Sequence, residues 1–130
     1  MHGLAPIASQ SPGTAGTARM IFRQLDQMRG GWFIGNFAPT CLDTREFEVA
    51  VKHYRAGVRE PSHVHRMGRE FTVIVAGRAL FNGREVDAGA IVEISPGEAV
   101  AFESVTDVIT VVVKTPSVVG DKYPSDGEVP

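Results

Sequence analysis

Apolar and polar positions alternate along most of this chain with a period of two. Phe47, Val49, Val51, His53 and Arg55 stand in one phase and Glu48, Ala50, Lys52 and Tyr54 in the other, which predicts a half-buried strand. Runs at Phe71 to Val75, Arg78 to Phe81, Gly89 to Ile94, Ala99 to Phe102 and Val108 to Lys114 predict further strands bounded by turn residues. Asn82-Gly83 is a two-residue hairpin signal, because both positions of that turn want positive φ. Turn signals recur about every 8 to 12 residues, the spacing of an all-β sandwich or barrel. The helical signal is short: apolar residues at 21, 22, 25 and 28 predict a turn or two between Arg19 and Arg29, stopped at Gly30-Gly31. If Val49 and Val51 face the core, the same period puts His53 and Arg55 on the inner face.

The 130 residues fit one domain. Residues 1 to 18 are small, polar and rich in Gly, Pro, Ser and Thr, with too little apolar surface to offset the entropy of ordering, and are expected to form a flexible arm. A single barrel domain is expected over residues 19 to 118 and an irregular tail over 119 to 130. Lys and Arg number 13 against 15 Asp and Glu, so a net charge of −2 provides no basic field for nucleic acid. Cys41 stands alone and cannot form an internal disulfide, which is compatible with a reducing compartment. The first residues lack a basic start and a continuous apolar run, and no later stretch reaches the roughly 18 apolar residues of a membrane span. A soluble, cytoplasmic protein is expected.

The chemistry gathers between Gly57 and Gly77. His63 and His65 are two apart, so on an extended strand their imidazoles leave the same face. Glu70 follows a short Arg-Met-Gly-Arg connection, which lets the chain turn and return a carboxylate beside them. Two imidazoles and a carboxylate suit one divalent transition-metal ion, iron, manganese, nickel, zinc or copper, better than magnesium or calcium. The alternative is a hydrogen-bonded cluster without metal at a solvated strand edge.

The spacing Gly57, five residues, His63-x-His65, four residues, Glu70, six residues, Gly77 resembles the first motif of the cupin superfamily at every defined position. The second motif is matched in part: Gly89 and Gly97 fit, with Ser95 in place of its first proline, whereas Val100 stands at its histidine position and Ser104 at its asparagine. The resemblance covers roughly residues 45 to 114. It implies a double-stranded β-helix, or jelly-roll barrel, with a mouth for a ligand, and a homodimer.

Val100 leaves two readings open. In one, His63, His65 and Glu70 hold a metal with open positions, and the protein is a metal-dependent enzyme, an oxygenase or an isomerase or lyase, acting on a small polar molecule. In the other, the metal is structural or vestigial and the barrel binds a sugar or metabolite without catalysis. His53 is a candidate general acid/base or substitute ligand, against the plainer role of a strand histidine with a backbone partner. Arg55 is a candidate clamp for a carboxylate or phosphate, against a snorkelling side chain at the rim. Glu98 is a further candidate ligand, while Trp32, Phe33 and Phe37 are expected as core or interface aromatics and Cys41 as inert.

Overall fold

The computed structural model describes residues 18–125, so the expected arm, apart from its last residue, and the end of the tail lie outside the described residues. The strands are β1 (Trp32–Gly35), β2 (Leu42–Asp43), β3 (Glu48–Tyr54), β4 (Arg59–Val64), β5 (Arg69–Ala76), β6 (Arg78–Phe81), β7 (Arg84–Asp87), β8 (Ile91–Ile94), β9 (Val100–Ser104), β10 (Val108–Thr115) and β11 (Tyr123–Pro124). They form a six-stranded sheet in the order β2-β1-β3-β10-β5-β8 and a five-stranded sheet in the order β11-β4-β9-β6-β7. This is the expected all-β jelly roll. The helical expectation shrinks to one 3₁₀ turn, Leu25–Gln27, without a side-chain cap and with no buried residue to hold it. No helix among the described residues is long and apolar enough to cross a membrane.

Local chemistry explains the corners. Asn82 and Gly83 take φ of 51° and 82°, which closes the β6–β7 hairpin. The Asn82 amide then ties the hairpin to β9, donating to the Ala99 carbonyl at 3.0 Å and accepting the Ala101 N–H at 2.7 Å. Gly77, with φ 92°, lets the chain pass from one sheet to the other. A Cβ there would strike the Asp107 carbonyl.

Cross-strand register grades the interior of the larger sheet. On the inner faces of β3, β10 and β5, Glu48, Lys114 and Glu70 form one row, Ala50, Val112 and Thr72 the next, and Lys52, Thr110 and Ile74 a third. Charge is thus concentrated in the first row, with Lys52 the single charge beyond it. At the apolar end Ile74, Ala79, Phe102 and Val108 form a buried cluster, with Tyr54 and Phe81 against it. The outer face carries Val51, Val111, Val73 and Ile91 in one row and Val49, Val113 and Phe71 in another.

This reverses the expected phase of β3. Glu48, Lys52 and Tyr54 line the interior, whereas Val49 and Val51 lie on the opposite face, and His53 and Arg55, the candidate catalytic pair, are exposed and outside the cavity. A sheet with a polar cavity on one side and valines on the other gives the same period of two either way.

Candidate functional site

The charged end of the barrel encloses a cavity of about 340 Å³. His63, His65 and Glu70 all line it, so the structure brings the three candidate ligands into one space. A register shift between Glu60 and His63 makes this possible for β4, since a bulge changes which residues of a strand face inward. Glu60 and His63 therefore both line the cavity despite their odd spacing. Val100 is directly opposite His63 on β9, 5% exposed, and lines the same cavity. The second-motif position thus faces the site, occupied by a side chain that cannot ligate.

His65 is the most constrained group. Only 4% exposed, it accepts a hydrogen bond at Nε2 from the Lys114 ammonium at 3.1 Å. An ammonium only donates, so Nε2 must present its lone pair and the proton of the neutral ring lies on Nδ1. Nδ1 is 3.9 Å from Glu70 Oε1, too far for a hydrogen bond, and has no hydrogen-bond partner among the described residues. Burial, with Lys114 adding to it, pushes the His65 pKa down to about 4, so the imidazole is neutral at physiological pH. His63 stands edge-on to it with ring centroids 5.0 Å apart, and its Nδ1 approaches the Pro61 carbonyl at 3.2 Å.

Lys114 also meets Glu48 Oε2 at 3.2 Å. Ser117 donates to Glu48 Oε1 at 2.6 Å and Thr72 to Glu70 Oε2 at 2.7 Å, so hydroxyls fix both carboxylates. With Lys114 on one nitrogen of His65 and a proton on the other, the residues as arranged do not fit a metal ion. Consistently, no group of three His, Cys, Asp or Glu side chains among the described residues converges to hold one.

Three lysines that sequence reasoning passed over define the electrostatics. Lys52, Lys114 and Lys122 all line the cavity. Burial lowers the pKa of Lys52; Glu60 opposes the shift and Lys122 and Lys114 add to it. The Lys52 and Lys114 ammoniums lie 5.6 and 5.3 Å from the centre of the Trp32 ring. The signal of the first two in the sequence was phase: Lys52 shares parity with Glu48 and Tyr54, and Lys114 with Thr110 and Val112.

The C-terminal segment roofs the site. Val119, Gly120 and Lys122 line the cavity, and β11 pairs with His63 and Val64 of β4. The residues beyond 118 are irregular as expected apart from β11, and are tied down as far as Ser125, whose N–H donates to the Ser62 carbonyl at 3.0 Å. Of the other candidates, Trp32 and Phe37 line the cavity and Phe33 does not, while Glu98 is exposed and accepts the Ser95 N–H at 3.3 Å. Arg69 pairs with Glu93 at 2.9 Å on the surface, and Cys41 takes no part.

No protein-family model matches the chain, and no curated protein matches it. Solved structures do. The chain is similar to an uncharacterised Klebsiella pneumoniae protein with a double-stranded β-helix domain, at 27% identity and a TM-score of 0.57 over 65% of this chain and 80% of that one. It is similar in fold to KdgF from Halomonas, at 14% identity and a TM-score of 0.53 over 58% of this chain and 74% of that one. It is also similar in fold to a cupin-superfamily sugar phosphate isomerase from Silicibacter pomeroyi, at 20% identity and a TM-score of 0.50 over 54% of this chain and half of that one.

Proposed function

Because the chain is by its fold a member of the cupin superfamily, we propose that it binds a small anionic molecule, a carboxylate or phosphate, inside the barrel on Lys52 and Lys122. The observation that carries this reading is that both lysines line the cavity without an ion pair among the described residues, although burial already disfavours the charge on Lys52. The half-buried Lys52 and the more exposed Lys122 repel across the cavity, and an anion between them removes that cost. The Trp32 ring beside Lys52 and Lys114 gives the rest of the molecule an apolar face.

Trp32 is the sole tryptophan of the chain, so its fluorescence reports on the cavity. Titration with inorganic phosphate and with citrate is expected to shift the emission, and a neutral sugar is not. Lys52→Met and Lys122→Met should each weaken binding about tenfold or more, the loss of one charge-assisted contact. Equal responses to charged and neutral probes would overturn the anion reading.

A metal-dependent oxygenase or isomerase is the second reading. It is supported by the neutrality of His65 and by the shared cavity of His63, His65 and Glu70, and it requires Lys114 to leave Nε2. Elemental analysis of protein purified without chelator checks it, with one transition-metal ion per chain as the outcome in its favour. A homodimer through the valine-rich outer sheet face, where Ile91 is 67% and Val75 51% exposed, completes the proposal. A monomer mass at micromolar concentration refutes that part.

A further inference from the structure

Strand β10 reads Val-Ile-Thr-Val-Val-Val-Lys-Thr, and its lysine is the one charge in an otherwise apolar and hydroxyl-bearing run. Register sets Lys114 opposite Glu48 on one neighbouring strand and Glu70 on the other, in the middle of the charged row. We propose that Lys114 takes the place of a metal ion in this barrel, its ammonium serving as the fixed cation of the site. The placement is built from several directions. Lys114 Nζ holds His65 Nε2 at 3.1 Å and Glu48 Oε2 at 3.2 Å, its side chain is 13% exposed, and Ser117 secures the far oxygen of Glu48.

The donor set of the motif is thereby turned to another use. A metal needs a lone pair on His65, and the one the neutral ring presents, at Nε2, is held by the lysine while the other nitrogen carries the proton. An entering divalent cation would meet a like charge in a half-enclosed space, where screening by water is reduced. Of the three N–H groups on the ammonium, two are engaged, and the third is left for an oxygen of the ligand. Only that last contact rests on the anionic ligand proposed above. The exchange of lysine for metal stands or falls by itself.

Titration of the full chain with Co²⁺, followed by its visible absorption, tests the exchange. Wild-type protein is expected to bind Co²⁺ no more tightly than His65→Ala. Lys114→Met, close in size and uncharged, should bind it at least about tenfold more tightly, and adding His63→Ala should remove the gain. Because Lys114→Met strands the Glu48 carboxylate, Glu48→Gln/Lys114→Met serves if the single variant does not fold. One equivalent of Co²⁺ on wild-type protein, lost in His65→Ala, overturns the proposal, and so does an absence of gain in folded Lys114 variants. Nitrogen-15 NMR of unaltered protein gives a second reading: His65 should be the Nδ1–H tautomer, and an Nε2–H tautomer would also overturn it. A protein that passes both tests while phosphate and citrate leave Trp32 unchanged keeps the lysine and loses the anion.

Discussion

The carboxylate of Asp121 accepts the backbone N–H of Gly68 in a buried hydrogen bond of 2.8 Å. The same carboxylate takes the N–H of Arg66 at 2.8 Å and of Met67 at 3.1 Å, and the Arg66 guanidinium lies 3.9 Å over the Tyr123 ring. The loop between His65 and Glu70 is thus shaped by a residue more than 50 positions later in the chain.

Replacing that carboxylate should loosen the loop. Asp121→Ala is expected to lower stability by about 2 kcal/mol, and Asp121→Asn by less, because an amide oxygen still accepts. Urea unfolding measures both. Equal stability in all three proteins would show that the loop holds its shape without the tail.

Acid should destabilise the protein in two separate windows. The folded pKa of His65, about 4, lies below the unfolded value of 6.5, so the unfolded chain gains a proton first and stability falls from about pH 6.5 towards 4. Burial tends to raise the Asp121 pKa, but hydrogen bonds from Gly68, Arg66 and Met67 outweigh it and hold the pKa below 3.8. Its contribution is present above that value and is lost as pH falls through the lower folded one. Melting temperatures across pH 3 to 8 should show both losses, and His65→Gln should flatten chiefly the upper one, since His65 also helps to hold the Asp121 pKa down.

The two motif glycines should respond differently to a methyl group. At Gly77 a Cβ meets the Asp107 carbonyl and the Thr106 hydroxyl, whereas at Gly57, with a similar φ of 88°, nothing lies within 4 Å. Gly57→Ala should therefore cost about 1 kcal/mol of backbone strain, and Gly77→Ala several times that. Denaturant midpoints decide it, with similar losses as the refuting result.

Val100→His tests how the site is closed to metals. The new imidazole would stand beside His63, at a cost of about 1 to 3 kcal/mol for enlarging a buried side chain. With Lys114 in place, it should add little Co²⁺ affinity. Combined with Lys114→Met, it should add more than the sum of the single effects, because the two changes share one set of donors. Additive behaviour in a thermodynamic cycle would mean that the two positions do not meet.

Most strands were legible because β5, β8 and β10 carry runs of Val, Ile and Phe, and Asn82-Gly83 set one hairpin. The convergence of His63, His65 and Glu70 on a single cavity was legible from motif spacing. The phase of β3 was not: a barrel that encloses charge places its glutamate and lysine inside, and alternation carries no label for the inner side. That reversal misplaced His53 and Arg55 and hid Lys52. The docking of residues 119 to 125 was equally invisible, since it rests on partners far away in sequence: the Asp121 carboxylate meeting three N–H groups, and β11 pairing with β4.

The Glu48–Lys114 pair is buried in a row that hydrophobic side chains could fill. An ion pair removed from water gives back little net stability, and apolar replacements of similar volume often stabilise by about 1 to 4 kcal/mol. Glu48→Met/Lys114→Met should therefore melt at a higher temperature than the natural chain, as thermal unfolding followed by circular dichroism would show. Folding alone would favour an oily plug at this end of the barrel. A cavity that keeps its charges against that tendency is what the proposed anion site would require.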